Sequence, residues 1–308
     1  LIRDLQIPAK AIGVHGGGTL EGKLIESAKR LLELTKLVVE DKPDFVIHFS
    51  SPEAARIGFG LGIKSICLND TAHATAVTKL TAPLSNYLIA PQHIQSEWIK
   101  KVKAWGTNVI LYNGVDEVEW TKTFKSDRRY IKRVIDIDFD RPIILLRPEE
   151  EKASYMITNP NRVPKYIRII RGIIEKHPSV QIVAFPRYAD QRRKLADFKD
   201  NVIVPDHCLV AAHLISFASV VITGGGTMAR ESALLGTPAI SFFDRATIFQ
   251  NYLRSLGFPF EQIVDADKVI SRVEEILANP EMFKVDTKEL LSKLESPSDK
   301  IKQIISDQ

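Results

Sequence analysis

The chain has 308 residues, of which 44% are hydrophobic and 26% are charged, and its net charge is +4. This length is sufficient for two domains with separate cores, and the mild charge disfavours a nucleic-acid-binding surface. Its two cysteines, Cys67 and Cys208, are too few for a disulfide framework. No apolar run reaches the roughly 18 residues that a transmembrane helix needs. We therefore expect a cytoplasmic protein without a transmembrane segment.

Short β-branched runs alternate with amphipathic stretches in the first half of the chain, a pattern typical of parallel sheets covered by helices. Residues 1–7 resemble the tail of a helix, so we expect the first domain to lack its opening strand. The turn Asn113-Gly114 places the domain boundary at Gly114, with a hinge over 113–116. The elements predicted before it are strands at 10–14, 45–49, 65–68, 87–90 and 109–112, and helices at 20–41, 52–61 and 94–104.

The second half, residues 115–308, repeats the alternation, and its last helix is expected to cross back onto the first domain. We predict an α/β fold of two Rossmann-like, doubly wound domains that face each other across a cleft, with ligands at the carboxyl ends of the strands. The predicted elements are a helix at 125–135, strands at 143–146, 180–185, 202–204, 220–223 and 239–242, and helices from 265 to 308, broken at Pro280 and Pro297.

One motif carries the sharpest chemical signal. The apolar run 220–223 leads into Gly224, Gly225, Gly226 and Thr227 and then into a helix. Such a turn brings backbone N–H groups and the positive end of the helix dipole to an anion, and Thr227 can donate its hydroxyl or cap the helix. Glu231, one turn further on, can accept hydrogen bonds from ribose hydroxyls. A tight strand-to-helix turn without a ligand is the alternative, and neither a P-loop nor a GxGxxG motif is present.

This segment, followed by Leu-Gly-Thr-Pro at 235–238, resembles the nucleotide-binding segment of the GT-B glycosyltransferase superfamily, which includes the UDP-N-acetylglucosamine 2-epimerases. The Lys-Pro-Asp strand at 42–44 is similar to one in those epimerases. The segment Gly-Thr-Met-Ala-Arg-Glu at 226–231, together with Ser-Pro-Glu-Ala-Ala-Arg at 51–56 and Asn-Asp-Thr at 69–71, looks most like a mainly archaeal GT-B family of unknown function. The resemblance implies a nucleotide site in the second domain that includes Glu231.

The chain departs from the epimerases where their helix carries a pair of glutamates, because Arg230 occupies the first of those positions. Their catalytic acids are not recognisable either. Arg147, at the end of a predicted strand, is expected to neutralise a diphosphate, with a surface ion pair to neighbouring glutamates as the alternative. We therefore predict a metal-independent glycosyltransferase that uses a UDP-type sugar as its substrate and needs no cofactor.

Sugar transfer needs a general base near the acceptor, and His15, Asp70 and His73 are the candidates. For each, a capping or core hydrogen bond is the structural alternative. The polar residues Asp244, Gln250 and Asn251 follow a predicted strand and are candidates for reading the sugar hydroxyls. The sequence does not identify the acceptor or the oligomeric state.

Three alternatives stay open. A nucleotide-sugar 2-epimerase or hydrolase would need no acceptor, and a non-catalytic protein would bind the nucleotide-sugar only. The lysine-rich helix between Trp98 and Trp105 can touch an anionic membrane that carries a lipid-linked acceptor, although the pattern favours solvated lysines around packed tryptophans. No metal site is expected, because the spacing of His207, Cys208 and His213 matches no closed zinc site.

Overall fold

The computed structural model describes residues 2, 6–17, 19–71, 74–94, 96–150, 164–244 and 248–307. The chain divides into two compact units. Ile7–Glu119 and Leu294–Gln308 form the first, here called the N-terminal unit, and Leu1–Gln6 and Trp120–Lys293 form the second, here called the C-terminal unit. The α/β fold with a parallel sheet in each unit, predicted from the sequence, is confirmed.

The division falls between Glu119 and Trp120 rather than at Gly114. The Asn113 N–H donates to the Glu295 carboxylate at 2.6 Å, and the Glu295 N–H donates to the Asn113 carbonyl oxygen at 2.8 Å. These bonds tie the Asn113-Gly114 turn into the N-terminal unit, so this turn is not the connection between the units.

The N-terminal unit contains a four-stranded parallel sheet in the order β1-β2-β3-β4. Its first helix begins where the Thr19 side chain accepts a hydrogen bond from the Gly22 N–H, and it ends at Lys42 in a left-handed conformation. The strands are β1 (Phe45–Phe49), β2 (Lys64–Leu68), β3 (Tyr87–Pro91) and β4 (Asn108–Tyr112), and the helices are α1 (Leu20–Asp41), α2 (Pro52–Leu61), α3 (Thr75–Thr81) and α4 (Ser96–Ala104). The short helix α5 (Val118–Thr121) spans the division between the two units.

The C-terminal unit contains a six-stranded parallel sheet in the order β10-β9-β8-β5-β6-β7. Strands β5, β6 and β7 run from the centre of the sheet to one edge, and strands β8, β9 and β10 then run from the centre to the other edge. Its elements are α6 (Arg128–Val134), β5 (Ile143–Arg147), α7 (Lys165–Lys176), β6 (Gln181–Ala184), α8 (Ala189–Leu195), β7 (Val202–Ile203), α9 (Ala211–Ile215), β8 (Val220–Thr223), α10 (Thr227–Leu234), β9 (Ala239–Ser241), α11 (Ile248–Ser255), β10 (Phe260–Gln262), α12 (Ala266–Ala278) and α13 (Lys288–Ser292).

The central strand β5 shows why a continuous apolar run forms a strand here. Ile144 and Leu146 face a core built with α7 and α12, whereas Ile143 and Leu145 face a second core built with α6 and α9. Alternate side chains of a strand point to opposite faces, so a strand covered on both sides must be apolar throughout. The last helix, α14 (Pro297–Ser306), packs against β3 and β4 of the N-terminal unit.

The strand predicted over residues 10–14 is wrong. Gly13 has a φ of +77°, which interrupts extended backbone, and the Val14 carbonyl oxygen accepts a hydrogen bond from the Arg30 guanidinium at 3.0 Å instead of one from a strand. Among the other elements, Pro297 begins a helix rather than breaking one, and α3, α5, α11 and β10 were not predicted. In the part of the chain that is described, no helix is long and apolar enough to cross a membrane.

Candidate functional site

The glycine turn lies where β8 ends and α10 begins, as predicted, but its glycines differ in what they do. The Gly225 N–H donates to the Thr223 hydroxyl at 3.0 Å, and the Gly224 N–H donates to the Arg147 carbonyl oxygen at 2.9 Å. These two N–H groups are engaged within the protein. The N–H groups available to a ligand therefore begin at Gly226, at the positive end of α10.

Gly224 is a glycine for reasons of packing. A Cβ atom at this position would lie 2.7 Å from the backbone nitrogen of Glu149, closer than non-bonded atoms approach. At Gly225 the same Cβ would meet only the Thr223 hydroxyl at 3.7 Å and an Arg187 nitrogen at 3.9 Å. The turn is thus pressed against the Glu149 backbone on one side and open on the other.

Thr227 does not cap α10. It is the first residue of the helix, and Gly226 takes the capping position, where no side-chain hydrogen bond is present among the described residues. Thr227 is exposed, whereas Gly225 and Gly226 are half-buried. The helix therefore begins with uncapped N–H groups beside an accessible surface, an arrangement suited to an anion.

Arg147 ends β5 and pairs in register with Thr223, the last residue of β8. The chain order of the sheet reverses between these two strands, and ligands of open α/β sheets bind outside the carboxyl ends of the strands at such a reversal. The Arg147 guanidinium donates to the Phe185 carbonyl oxygen at 2.7 Å, which fixes its place at this edge. The glycine turn and the strand end that carries Arg147 are therefore neighbours at the switch point.

Two further arginines flank the turn, and sequence reasoning did not select them as ligands. An Arg187 nitrogen lies 3.9 Å from the Cβ position of Gly225, and an Arg230 nitrogen lies 3.1 Å from that of Gly226. The Arg230 side chain is buried, and its guanidinium lies 4.7 Å from the centre of the Phe249 ring. Arg187 follows the predicted strand 180–185, so its place after a strand end was the signal that could have found it.

Charged side chains at the carboxyl ends of β5 and β6 affect the pKa of Arg147. Burial, and after it the positive charge of Arg187, lowers the pKa of the Arg147 guanidinium, while the charges of Cys208 and Glu150 act in the opposite direction. Glu150 lies 3.7 Å from Arg187 and accepts a hydrogen bond from the Tyr188 hydroxyl. The fully buried Gln191 holds this region by accepting from the Arg187 N–H at 2.8 Å and donating to the Glu149 carbonyl oxygen at 2.9 Å.

Glu231 lies in the second turn of α10 and is half-buried. Its carboxylate accepts a hydrogen bond of 3.0 Å from the indole N–H of Trp120. Trp120 and Glu231 both belong to the C-terminal unit, so the glutamate, the glycine turn and the three arginines form one constellation within that unit.

The candidate sugar-binding residues are placed differently from one another. Asp244 is exposed and forms an ion pair with Lys165, and Asn251 on α11 is exposed. The Gln250 side chain is 95% buried (5% exposed), so it contributes to the packing of α11 rather than to an open surface.

The candidate bases belong to the N-terminal unit. His15 is exposed and accepts a hydrogen bond from the Gly17 N–H at 3.1 Å, in a segment that is not a strand. Asp70 follows β2 and accepts a hydrogen bond from the Thr71 hydroxyl at 2.5 Å. His73 lies outside the described residues. In the described ranges, no group of three or more His, Cys, Asp or Glu side chains is arranged to hold a metal ion.

Solved structures with the same architecture define the class of fold. The UDP-GlcNAc 2-epimerase from Methanocaldococcus jannaschii has a TM-score of 0.64 and 19% identity, covering 100% of this chain and 88% of that protein. The epimerase from Neisseria meningitidis bound to UDP-GlcNAc has a TM-score of 0.67 and 16% identity, covering 94% and 82%. The spinosyn forosaminyltransferase SpnP has a TM-score of 0.58 and 14% identity, covering 99% and 87%. The chain thus has the two-domain α/β fold of GT-B proteins.

The family is more specific than the fold. The chain belongs to the family described as "Protein of unknown function (DUF354)", which matches residues 1–299. The uncharacterized protein MJ0665 of Methanocaldococcus jannaschii is 35% identical over 248 residues, which cover 79% of this chain and 70% of that relative. The resemblance to the archaeal GT-B family expected from the sequence is confirmed.

Proposed function

We propose that the C-terminal unit binds a nucleoside diphosphate sugar of the UDP type, with the diphosphate at the glycine turn. One observation carries this proposal: the guanidinium groups of Arg187 and Arg230 lie at the glycine turn before α10, and Arg147 ends the neighbouring strand at the switch point of the sheet. Guanidinium groups match phosphate oxygens with two parallel hydrogen bonds, and the helix end adds its dipole.

The electrostatics favour an anion with more than one charge. Positive side chains near a helix N-terminus oppose the helix dipole, and the charge of Arg187 lowers the pKa of Arg147. Glu150 offsets part of this charge. A diphosphate relieves the remaining repulsion better than a monophosphate, because it brings the larger negative charge to the same place.

The ribose is placed on Glu231. A carboxylate has about four acceptor sites, so it can receive two ribose hydroxyls while keeping its bond from Trp120. Diphosphate at the start of α10 and ribose at its second turn fit the order of these groups in a nucleotide. The epimerase from Neisseria meningitidis that shares this fold was solved with UDP-GlcNAc, which supports the choice of a UDP-sugar.

The reaction we propose is transfer of the sugar to an acceptor hydroxyl bound by the N-terminal unit. A base among His15, Asp70 and His73 takes the proton as the acceptor oxygen bonds to the anomeric carbon. The bond from that carbon to the diphosphate breaks, and its electron pair leaves with UDP. The arginines at the turn stabilise the charge that develops on the leaving diphosphate, without a metal ion.

A 2-epimerase is the second candidate, favoured by the fold that the chain shares with UDP-GlcNAc 2-epimerases. Arg230 argues against it, because a cation replaces one of the paired glutamates of those enzymes. Two further possibilities are a hydrolase and a protein that binds the nucleotide-sugar without turnover, and the NMR experiment below distinguishes them.

Calorimetric titration with UDP, UDP-GlcNAc and UMP tests the binding step. We expect UDP to bind at least tenfold more tightly than UMP, and Glu231→Ala to weaken UDP binding by about tenfold or more, because it removes hydrogen bonds to a charged group. Glu281→Ala, an exposed carboxylate on a separate turn, is the matched control. The absence of binding of every nucleotide at millimolar concentration would overturn the proposal.

Proton NMR of the donor alone then separates the reactions. An epimer identifies an epimerase and free sugar identifies a hydrolase, and either result overturns the transferase. A donor that stays intact until a panel of acceptors is added, and is then consumed with release of UDP, supports it. Binding without turnover under all these conditions would identify a binding protein.

A further inference from the structure

The hydrogen bond between Trp120 and Glu231 joins residues that are far apart in the sequence. The indole N–H lies 3.0 Å from a carboxylate oxygen, a normal distance for a hydrogen bond to a charged acceptor. An indole nitrogen can only donate, so the direction of this bond is fixed. The bond uses one acceptor site of the Glu231 carboxylate, which has about four.

The backbone of Trp120 is held between buried residues, whereas its indole ring is partly exposed. It lies in the short helix α5 between the fully buried Val118 and the buried Thr121, while the tryptophan is 42% exposed. The preceding residue, Glu119, belongs to the N-terminal unit, where its carboxylate accepts hydrogen bonds from the Ser296 hydroxyl and the Ser298 N–H. The backbone that carries the indole is therefore held on both sides of the peptide bond between 119 and 120.

This anchoring matters because a hydrogen bond from a fixed donor restricts the rotamers of the glutamate that accepts it. Fixing such a side chain costs conformational entropy, and a ligand that must order it binds more weakly. A donor that already holds one carboxylate oxygen removes that cost before the ligand arrives. The effect acts only on ligand groups that bind the carboxylate.

We infer that Trp120 is a positioning residue that orients the Glu231 carboxylate for the two ribose hydroxyls and so sets the preference of the site for ribonucleotides. This inference rests on the proposed function, because it assigns the ribose to Glu231. Trp120 does not need to touch the ligand for this role. It acts through the glutamate.

The test compares UDP with 2′,3′-dideoxy-UDP in the wild-type protein and in Trp120→Phe, which keeps an aromatic ring and loses the N–H donor. We expect the Kd for UDP to rise about 3- to 10-fold in the variant, the size of effect expected for one ordinary hydrogen bond, because Trp120 acts on the ligand only through Glu231. The Kd for the dideoxy analogue is expected to change less than twofold. The preference for the ribose is thus reduced without a general loss of binding.

Trp105→Phe is the matched control, because Trp105 is 40% exposed and belongs to the N-terminal unit. It should leave both Kd values unchanged. UDP should also change the tryptophan fluorescence of the wild type and of Trp105→Phe, and this change should be lost in Trp120→Phe.

The outcomes separate the inference from the function on which it rests. If the wild-type protein binds no nucleotide, the proposed function fails. If it binds UDP and prefers it to the dideoxy analogue, but Trp120→Phe keeps that preference, the positioning role is wrong and the nucleotide site stands. A parallel loss of affinity for both ligands would show a structural role and would also overturn the inference.

Discussion

The backbone N–H of Gly224 donates a hydrogen bond of 2.9 Å to the carbonyl oxygen of Arg147. This bond extends the ladder between the two central strands by one step beyond their last register pair, Arg147 and Thr223. The start of the glycine turn is therefore fixed to the strand that carries the arginine. The two parts of the site cannot move independently, and a change at the turn is expected to be felt at the strand end.

Gly224→Ala is expected to lower the stability of the protein, and Gly225→Ala is expected to lower its affinity for the nucleotide. The new methyl group at Gly224 meets the Glu149 backbone, so the free energy of unfolding should fall by about 1–3 kcal/mol, the usual cost of overpacking. The methyl group at Gly225 has space but points toward Arg187. That variant should keep its stability and lose nucleotide affinity.

Urea denaturation and calorimetric titration measure the two effects separately. Equal stability of the two variants would contradict the packing role of Gly224. Unchanged UDP affinity in Gly225→Ala would place the diphosphate elsewhere.

Arg187→Gln is expected to weaken the response to anions without destabilising the protein. The substitution removes a positive charge that acts on Arg147, and the ion pair it loses, 3.7 Å to Glu150, is partly exposed. The melting temperature without ligand should stay the same or rise. The increase in melting temperature caused by pyrophosphate should fall to half or less of the wild-type value.

Arg192→Gln is the control for that experiment. Arg192 lies on α8, is similarly exposed, and pairs with Asp206 at 3.4 Å. If both variants respond to pyrophosphate like the wild type, the anion does not bind at the arginines.

Cys208 provides a chemical probe of the same edge. It is exposed and interacts electrostatically with Arg147, whereas Cys67 is buried. We expect a maleimide to label Cys208 and to spare Cys67 in the folded protein. Saturating UDP should slow the labelling severalfold, as measured by mass spectrometry. A labelling rate unaffected by UDP, in a protein that binds it, would contradict the proposed position of the diphosphate.

His48 is expected to make the stability depend on pH. Burial lowers its pKa from 6.5 to about 4, and its Nδ1 accepts a hydrogen bond from the Ser51 N–H, which requires the neutral ring. The unfolded state binds the proton more readily, so this stabilisation is present above pH 6.5 and is lost as the pH falls toward 4. The loss is on the order of 3 kcal/mol over that range.

Chemical denaturation at pH 7 and pH 5 tests this pH dependence. His48→Gln should lose less stability between the two values than the wild type, and the exposed His207→Gln should behave like the wild type. The same pH dependence in all three proteins would show that His48 does not carry the effect.

Much of the fold could be predicted from local patterns. The apolar run at 143–146 and the run at 220–223 must be covered on both faces, and a parallel sheet is the structure that does so. The segment at 10–14 has the same apolar character but fails to form a strand, because Gly13 takes a positive φ and Arg30 binds the Val14 carbonyl oxygen. A long-range contact of this kind leaves no local signal.

The site was predictable in part for the same reason. Gly224 and Arg147 stand at strand ends, and the repeating pattern locates such ends. The approach of Arg187 and Arg230 to the turn depends on side-chain directions that appear only in the folded chain. The packing of Gly224 against Glu149 likewise comes from two segments that are distant in sequence. The sequence pattern therefore predicts the position of the site at the edge of the sheet, but not the approach of Arg187 and Arg230 to the turn.

The positive charge gathered at the glycine turn has a consequence for the amount of protein that stays folded. A ligand that binds only the folded state stabilises it by an amount that grows with the logarithm of its concentration. Under the proposed function, the empty protein carries the repulsion of its arginines and the occupied protein does not. Depletion of the nucleotide-sugar would then shorten the lifetime of the protein against cellular proteases, so its abundance would follow the supply of its own substrate.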